Sequence, residues 1–255
     1  MKPGVLIICH GSQDKAWVQL VDDAAAGLRL PEDLPVEISF LELVTGRLIQ
    51  DGINRLEAQG VTDLLVVPLF VSSGSTHVDE IGYALGIKDE PEKETDLERF
   101  EIHSRVHYGY PAGDDPLIAE MVWDKVRGLS QDLSREMILL VAHGSIHDGF
   151  RQRWERELSS LAEKVHLLSG AAAADFALLN PESVHAKAAY WNQERGYDVL
   201  VAPLFLSAGY FTNVVVPRRL GDLTYRYSGE TLLPHPLLAR WIERQVEVLM
   251  GRLNA

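Results

Sequence analysis

The amino-acid sequence predicts an α/β protein of two tandem lobes, each a doubly wound, mainly parallel sheet between two layers of helices. Three observations predict this class. Short apolar runs alternate with longer segments of helical periodicity, as in βαβ units. The same order of segments occurs twice along the chain. In both copies the first apolar run ends in the tripeptide His-Gly-Ser, at residues 10–12 and 143–145.

The internal repeat rests on two matched pairs of segments. Residues 5–12 (VLIICHGS) match residues 138–145 (ILLVAHGS). Residues 66–74 (VVPLFVSSG) match residues 201–209 (VAPLFLSAG), and roughly 135 residues separate the members of each pair. Because order and spacing are both kept, we expect two copies of one fold.

The boundary between the copies is expected near residues 128–135. A weaker sequence match near the end of each half pairs Asp-Pro-Leu at 115–117 with His-Pro-Leu at 235–237. We therefore assign residues 1–130 to an N-terminal lobe and residues 131–255 to a C-terminal, repeated lobe.

In the N-terminal lobe, apolar runs predict strands and the amphipathic segments between them predict helices. The expected strands are at 4–9, 36–41, 64–70 and 100–106. The expected helices are at 13–28, 47–58, 77–86 and 116–128. The stretch 88–101 is rich in Asp and Glu and contains a proline, which predicts a solvated loop.

The C-terminal lobe shows the same alternation. The expected strands are at 137–142, 172–178, 199–206 and 224–232. The expected helices are at 148–165, 182–195 and 236–252. Asn180-Pro181-Glu182 is typical of a helix start, with Asn180 as the N-cap and Pro181 at the first helical position.

Composition excludes several functional classes. The formal net charge of −13 opposes binding to a nucleic-acid backbone. The longest apolar runs are far shorter than the roughly 20 residues that span a bilayer, and the N-terminus has no cleavable signal pattern, so we expect a cytoplasmic protein without a membrane partner. The single cysteine, Cys9, excludes an internal disulfide and any CxxC motif, and we expect it to be buried in a strand.

Candidate catalytic residues follow three strands of the N-terminal lobe. His10 follows the first strand, Glu42 ends the second, and His77 follows the third. In a parallel sheet, ligands bind in the crevice beyond the carboxyl ends of the strands, so the three side chains are expected to converge. Imidazole and carboxylate suit a divalent transition metal. His10 and His77 are therefore the predicted metal ligands, with Glu42 as a third catalytic residue.

Neighbouring residues extend the predicted site toward a substrate. Ser12 and the loop Ser73-Gly74-Ser75 are candidates to cradle an anionic group at a helix start. Arg47 is a further candidate anion contact, since it is expected to open the helix after Glu42.

A helix-capping pattern predicts where His77 lies in the next helix. Thr76 followed by Asp79 resembles a capping box with Asp in place of Glu, which puts His77 in the first turn of the next helix. The positive end of a helix favours the neutral imidazole that binds a metal or accepts a proton.

The C-terminal lobe keeps only part of this set. It retains His143, but alignment on the Pro-Leu-Phe segments sets Thr212 opposite His77. Alignment of the second strands by their phenylalanines sets Leu178 opposite Glu42. We interpret this lobe as a copy with a degenerate site, in which His143 supports the sheet or contributes to substrate binding.

These residues resemble the class II tetrapyrrole chelatases, specifically the sirohydrochlorin chelatases in the long form that fuses two CbiX-like halves. The resemblance rests on His10-Gly11-Ser12, on Phe40-Leu41-Glu42, and on Val67 to Val71 running through Gly74 to His77. It covers nearly the whole chain. It implies a chelatase-like, flavodoxin-like three-layer αβα fold in each lobe, with the macrocycle held in a cleft between them.

The resemblance also implies an activity. The protein is expected to be a lyase that inserts Fe²⁺ or Co²⁺, with Ni²⁺ as an in vitro substitute, into sirohydrochlorin without ATP, in siroheme or cobalamin biosynthesis. Two protons are released, and no prosthetic group is required. His10 and His77 match the family's metal-binding and proton-accepting pair, and Glu42 matches its carboxylate. We expect iron as the physiological metal and a monomeric protein.

Two other hypotheses stay open on the sequence. The first is a chelatase for another tetrapyrrole, such as a porphyrin ferrochelatase, which shares the fold. The second is a non-catalytic, two-lobed metal-binding protein, which would bind Co²⁺ without accelerating metal insertion.

Overall fold

The computed structural model describes residues 1–253 and confirms the α/β class. The first sheet is built from four strands that alternate with helices. In chain order these are β1 (Pro3–Cys9), α1 (Lys15–Ala26), β2 (Val36–Phe40), α2 (Ile49–Ala58), β3 (Asp63–Pro68), α3 (Thr76–Ala84) and β4 (Arg105–Tyr108). The strands are all parallel, in the order β2-β1-β3-β4.

The second sheet has the same topology. The remaining elements, in chain order, are α4 (Pro116–Val126), a 3₁₀ turn (Arg127–Leu129), β5 (Glu136–Gly144), α5 (Asp148–Ser169), β6 (Ala173–Asn180), α6 (Val184–Ala189), a π-helical turn (Tyr190–Glu194), β7 (Asp198–Pro203), a second π-helical turn (Phe211–Val215), α7 (Val216–Leu220), β8 (Tyr225–Tyr227) and α8 (Pro236–Leu253). The strand order β6-β5-β7-β8 repeats that of the first sheet, again fully parallel.

Burial explains why the central strands are continuous apolar runs rather than alternating ones. Helices cover both faces of each sheet, so successive side chains of a central strand all enter the core. Val5 to Cys9 in β1 and Leu64 to Val67 in β3 are at most 1% exposed. Cys9 is a buried strand residue, as predicted, and burial raises the pKa of its thiol.

The strand order fixes where a site can form. The chain passes from β1 to β2 on one side and then crosses to β3 on the other, so β1 lies between them. This reversal is the topological switch point at which open parallel sheets leave a crevice. The carboxyl ends of β1 and β3, at Cys9 and Pro68, therefore flank the candidate site.

Of the two compact units of the chain, only the second is one continuous segment. The first lobe consists of Met1–Pro111 together with the segment that begins at Ala239, and the second lobe of Ala112–Leu238. The helix α4 thus belongs to the second lobe and most of α8 to the first. The expected boundary at residue 130 follows the sequence repeat and places both helices in the other lobe.

Specific contacts hold each of these helices in its lobe. In the first lobe, Glu243 of α8 accepts a hydrogen bond from the Arg29 amide at 2.7 Å, and Gln245 accepts one from the Tyr110 amide at 3.3 Å. In the second lobe, Lys164 of α5 forms an ion pair with Asp114, just before α4. These partners lie far apart in the sequence, so local patterns do not reveal them.

The structure corrects two expectations for the second lobe. Asn180 is the last residue of β6, where it pairs with Gly144, and is therefore no N-cap. The helix α6 begins at Val184, with Ser183 as its N-cap. The predicted strand at 224–232 is only three residues long.

Residues 211–220, for which no element was expected, form a π-helical turn continued by α7. Val214, Val215 and Val216 are β-branched and have weak helix propensity. Burial of Val215, Val216 and Leu220 in the core favours the helix over that local preference. No helix within residues 1–253 is both long and apolar enough to cross a membrane.

Candidate active site

His10 follows β1 at the edge of the first sheet, and the glycine after it determines the backbone geometry there. Gly11 has a φ of +108°, in the left-handed region that favours glycine. A Cβ at this position would lie 2.0 Å from the carbonyl oxygen of Glu42. The Glu42 amide in turn donates to the His10 carbonyl at 3.0 Å. The close approach of the two backbones brings Glu42 beside His10, and their Oε1 and Nε2 atoms are 3.4 Å apart.

The loop after β3 delivers His77 to the same edge. His77 is the second residue of α3, so the expected place in the first turn of the helix is correct. The expected capping box is wrong, because the N-cap is Ser75 rather than Thr76. Asp79 is buried, pairs with Lys88 and accepts a hydrogen bond from the Glu92 amide at 2.9 Å, so it is not available to cap the helix.

The two predicted histidines are in direct contact. The ring centroids of His10 and His77 are 4.6 Å apart, with an interplanar angle of 67°. Both side chains are part-exposed, at 37% and 40%. The pair therefore lies in the sheet crevice with access to solvent.

Hydrogen bonds on Nδ1 define the state of both rings. The Nδ1–H of His10 donates to the Gly11 carbonyl oxygen at 3.0 Å, and a carbonyl can only accept. The Nδ1–H of His77 donates to Oε1 of Glu80 at 2.6 Å. In the neutral tautomer with the proton on Nδ1, which these contacts favour, Nε2 carries the lone pair that binds a metal or accepts a proton, and Nε2 of His10 lies 3.4 Å from Oε1 of Glu42.

Glu80 is a site residue that the sequence analysis missed. Burial favours the protonated acid, but hydrogen bonds from His77 and from Thr95, at 2.6 Å each, outweigh it and hold the pKa of the Glu80 carboxyl below its usual value. The signal was in the sequence, because residues three apart on a helix lie on one face. Glu80 stands three residues after His77.

The structure does not assemble the predicted anion contacts. Arg47 lies before α2 and forms a two-pronged ion pair with Asp22, at 2.7 and 3.0 Å, while its guanidinium covers the ring of Phe40. This pairing also raises the pKa of Arg47. We therefore withdraw Arg47 as a substrate contact.

The polar groups of the Ser/Gly loops form hydrogen bonds within their own turns. The Ser12 hydroxyl accepts from the Asp14 amide at 3.0 Å, next to the start of α1. The Gly74 amide donates to the Ser72 hydroxyl at 2.9 Å, and the Ser75 amide to the Ser72 carbonyl at 3.1 Å. This is the pattern of turns rather than of an anion cradle, and it leaves the substrate-binding role of Ser73 a prediction.

The candidate donor side chains of the first lobe form pairs. Within residues 1–253, no three His, Cys, Asp or Glu side chains are grouped closely enough to hold a metal ion. His10 faces Glu42 on one side and His77 on the other, and His77 is held by Glu80.

In the second lobe, the backbone geometry identifies a different counterpart of Glu42 from the one that the sequence alignment predicts. Gly144 has a φ of +75°, and a Cβ there would lie 2.1 Å from the carbonyl oxygen of Asn180. This repeats the close approach of Gly11 to Glu42. The counterpart of Glu42 is therefore Asn180, not Leu178. Leu178 occupies the position in its own sheet that Phe40 occupies in the first sheet.

The counterpart of His77 in the alignment, Thr212, is turned into the core. It is 1% exposed, and its hydroxyl bonds to the backbone of Gly209. The neighbouring Phe211 occupies the crevice instead. Its ring stands edge-on to His143, with centroids 5.1 Å apart, and stacks on Phe205 at 6.0 Å. In the first lobe the ring of His77 has the same two neighbours, a histidine after the first strand and a phenylalanine after the third.

His143 itself keeps the geometry of His10. Its Nδ1–H donates to the Gly144 carbonyl at 3.1 Å, as that of His10 does to the Gly11 carbonyl. With phenylalanine and asparagine in the other two positions, the second lobe lacks the paired donors of the first.

Comparison with known proteins gives consistent matches. The model of the family described as CbiX matches residues 4–129 and 137–249. Over 132 residues the chain is 32% identical to a sirohydrochlorin cobaltochelatase of Methanothermobacter thermautotrophicus, covering 49% of this chain and 92% of that protein. Over 164 residues it is 27% identical to a sirohydrochlorin ferrochelatase of Priestia megaterium, covering 62% of this chain and 55% of that protein.

Solved structures show the same fold over nearly the whole chain. SirB from Bacillus subtilis with Fe³⁺ superimposes with a TM-score of 0.74 at 20% identity, over 98% of this chain and 96% of that one. A structure of CbiX, described as the terminal enzyme of siroheme biosynthesis in denitrifying bacteria, gives a TM-score of 0.60 at 16% identity, over 97% and 99% of the two chains.

Proposed function

The chain belongs to the CbiX family, and we propose from this that it is a sirohydrochlorin chelatase, a lyase that inserts Fe²⁺ or Co²⁺ into sirohydrochlorin without ATP. The observation that carries the proposal is the contact of His10 with His77, whose centroids are 4.6 Å apart while both Nδ1 atoms are engaged elsewhere. This leaves two Nε2 lone pairs in one crevice.

The reaction requires a place for two protons. Metal insertion removes both pyrrole N–H protons of the macrocycle, and the site contains two imidazoles, each with its own carboxylate. A proton taken up on Nε2 of His10 lies beside Glu42, 3.4 Å away. A proton taken up on Nε2 of His77 makes a cation that Glu80 stabilises through Nδ1–H. Each histidine is therefore equipped as a general base.

The same groups suit a metal that must be released. Nitrogen and oxygen donors bind a divalent transition metal, and an open set of donors leaves coordination positions for the macrocycle. The part-exposed rings also let protons leave to solvent. The two relatives named above are a cobaltochelatase and a ferrochelatase, so the choice of iron as the physiological metal stays a prediction. So does Ni²⁺ as an in vitro substitute.

Neither alternative hypothesis is favoured by these matches. A porphyrin chelatase shares the fold, but the relatives are named for sirohydrochlorin. A non-catalytic metal carrier has no need of two bases with separate carboxylates. The monomeric state, the cytoplasmic location and the lack of nucleic-acid partners stay predictions.

Anaerobic metal insertion tests the proposal directly. The protein is mixed with sirohydrochlorin and Fe²⁺ or Co²⁺, and the absorption spectrum of the macrocycle is followed against a protein-free control. We expect acceleration with sirohydrochlorin and little with a dicarboxylate porphyrin. A wild-type rate equal to the uncatalysed rate would refute the enzyme assignment, and faster insertion into the porphyrin would refute the substrate.

Glu80 provides a prediction specific to this geometry. Replacing it with alanine removes the acceptor that orients His77 and stabilises its protonated form, so we expect kcat to fall about 10–100-fold. Glu80→Gln keeps an acceptor for Nδ1–H but loses the charge, so its loss should be intermediate. The KM for sirohydrochlorin should change little, because Glu80 acts through His77.

The matched control for this prediction is Glu90→Gln, which removes an exposed carboxylate from the acidic stretch 88–101 that follows α3. Its kcat should stay within about twofold of wild type, as is usual for surface changes. Equal losses in the Glu80 and Glu90 variants would show that the acidic field, rather than the contact with His77, is responsible.

A further inference from the structure

The loop that follows α3 is tied to the first turns of that helix through two adjacent carboxylates. Asp79 pairs with Lys88 and accepts a hydrogen bond from the Glu92 amide at 2.9 Å. Glu80, the next residue of the helix, accepts a hydrogen bond from the Thr95 hydroxyl at 2.6 Å. The loop is therefore fixed to the part of the helix that carries one of the two catalytic histidines.

The side chain of Thr95 is turned inward and its hydroxyl has a defined direction. Thr95 is half-buried, whereas Glu94 and Asp96 on either side of it are exposed. Its hydroxyl oxygen accepts a hydrogen bond from the Leu97 amide at 3.1 Å, and Leu97 packs against the core of the first lobe. An ionised carboxylate can only accept, so the hydroxyl hydrogen is donated to Glu80.

The carboxylate of Glu80 connects Thr95 with His77. Its Oε1 atom accepts from Nδ1–H of His77 and its Oε2 atom from the Thr95 hydroxyl, at 2.6 Å each. Because both oxygens are engaged, the plane of the carboxylate is fixed, and with it the orientation of the imidazole. Outer partners of this kind orient the side chains that contact a metal.

The two catalytic rings are oriented by different means. His10 donates to the carbonyl oxygen of Gly11, which belongs to the backbone and needs no further support. His77 donates to the side chain of Glu80, which rotates unless its second oxygen is also held. The placement of the His77 ring, with its centroid 4.6 Å from that of His10, therefore depends on the loop after α3.

We propose that Thr95 is a positioning residue for His77: its hydroxyl fixes the carboxylate of Glu80, and this carboxylate orients the imidazole so that Nε2 is presented to the metal. The proposal rests on the proposed function, which makes His77 a working residue. It gives the loop after α3 a role in the site beyond connecting α3 to β4.

Co²⁺ binding without the macrocycle tests this proposal apart from the reaction. Co²⁺ is titrated into the full chain in competition with a chromophoric chelator, and His77→Ala identifies the binding that belongs to the site. We expect Kd to rise about three- to tenfold in Thr95→Val, the effect of one hydrogen bond. Thr95→Ser keeps the hydroxyl and should stay within about twofold of wild type.

The same variants are then compared in metal insertion. We expect kcat of Thr95→Val to fall by about the same three- to tenfold, with restoration in Thr95→Ser. The KM for sirohydrochlorin should not change, because Thr95 acts on the orientation of His77 and not on the macrocycle.

Thr62→Val is the matched control. The Thr62 hydroxyl also donates to a buried carboxylate of the first lobe, that of Asp63, at 2.7 Å. Thr62 precedes β3 and so lies at the amino edge of the sheet, opposite the histidines. This variant loses the same kind of hydrogen bond, but its Co²⁺ Kd and its kcat should stay within about twofold of wild type.

A double-mutant cycle tests whether Thr95 acts through Glu80. In the Glu80→Ala background the hydroxyl has lost the carboxylate that it holds, so Thr95→Val should cause no further loss of Co²⁺ affinity or kcat. Additive losses in the double variant would overturn the proposed connection.

The outcomes distinguish this proposal from the proposed function. Unchanged Kd and kcat in Thr95→Val, or equal losses in Thr62→Val, overturn the role of Thr95 and leave the chelatase activity of wild type standing. Weaker Co²⁺ binding in Thr95→Val, combined with a wild type that does not accelerate metal insertion, supports the positioning role and refutes the chelatase. If Co²⁺ binding does not depend on His77, kcat alone decides, and a wild type without acceleration then overturns both.

Discussion

His10→Ala and His77→Ala are each expected to lower kcat for metal insertion by about 10²–10⁴-fold, the range typical for loss of a positioned general base. Each variant removes one Nε2 lone pair and strands the carboxylate that served it. Anaerobic stopped-flow absorption with sirohydrochlorin and Co²⁺ measures the loss. Because the reaction must release both protons, loss of either base blocks it, and the double variant should be little worse than the poorer single one.

His143→Ala tests the choice of lobe, because His143 has the same backbone setting as His10 but faces Phe211 instead of a second imidazole. Its kcat should stay within about threefold of wild type. If His143→Ala is inactive while His10→Ala and His77→Ala retain activity, the chemistry belongs to the second lobe and our assignment is wrong.

Gly11→Ala is expected to destabilise the protein by about 3 kcal/mol or more. The φ of +108° is itself unfavourable for alanine, and the added Cβ would meet the Glu42 carbonyl oxygen at 2.0 Å. That oxygen belongs to the backbone and moves only if β1 and the end of β2 separate. The free energy of unfolding from urea denaturation measures the effect, and the displacement of Glu42 should lower activity in the fraction that folds.

Gly46→Ala separates strain from collision. Gly46 also has a positive φ, +77°, but a Cβ there has nothing within 4 Å. This variant should lose only about 1 kcal/mol, the cost of the left-handed backbone. Similar losses at positions 11 and 46 would contradict the idea that the close approach of Gly11 to Glu42 builds the site.

Much of the fold could be predicted because its signals are local. The apolar runs of β1 and β3 are long and flanked by polar turns, and each has a matching apolar run in the other half of the repeat. His10 and His77 were placed by the rule that strand ends share an edge. Glu42 followed from the position of a lone acid after an apolar strand.

Other features depend on contacts that no local pattern encodes. Leu178 was set opposite Glu42 because the alignment matched two phenylalanines, whereas the backbone approach at Gly144 identifies Asn180. Arg47 was a candidate anion contact until Asp22, on another helix, proved to hold it. The alignment pairs His77 with Thr212, but it is the ring of Phe211 that takes the place of the His77 ring. Only the directions of the side chains reveal this.

The placement of α4 in the second lobe and of most of α8 in the first determines how this chain can be divided. A gene cut at residue 130 would yield a fragment that ends in a foreign helix and lacks its own, leaving uncovered the surface that Trp241, Ile242 and Leu249 now seal. A circular permutant that joins the α8 segment ahead of residues 1–111 would restore a self-sufficient half. The first lobe therefore cannot be isolated by a single cut in the chain, whereas the second lobe, residues 112–238, is one continuous segment.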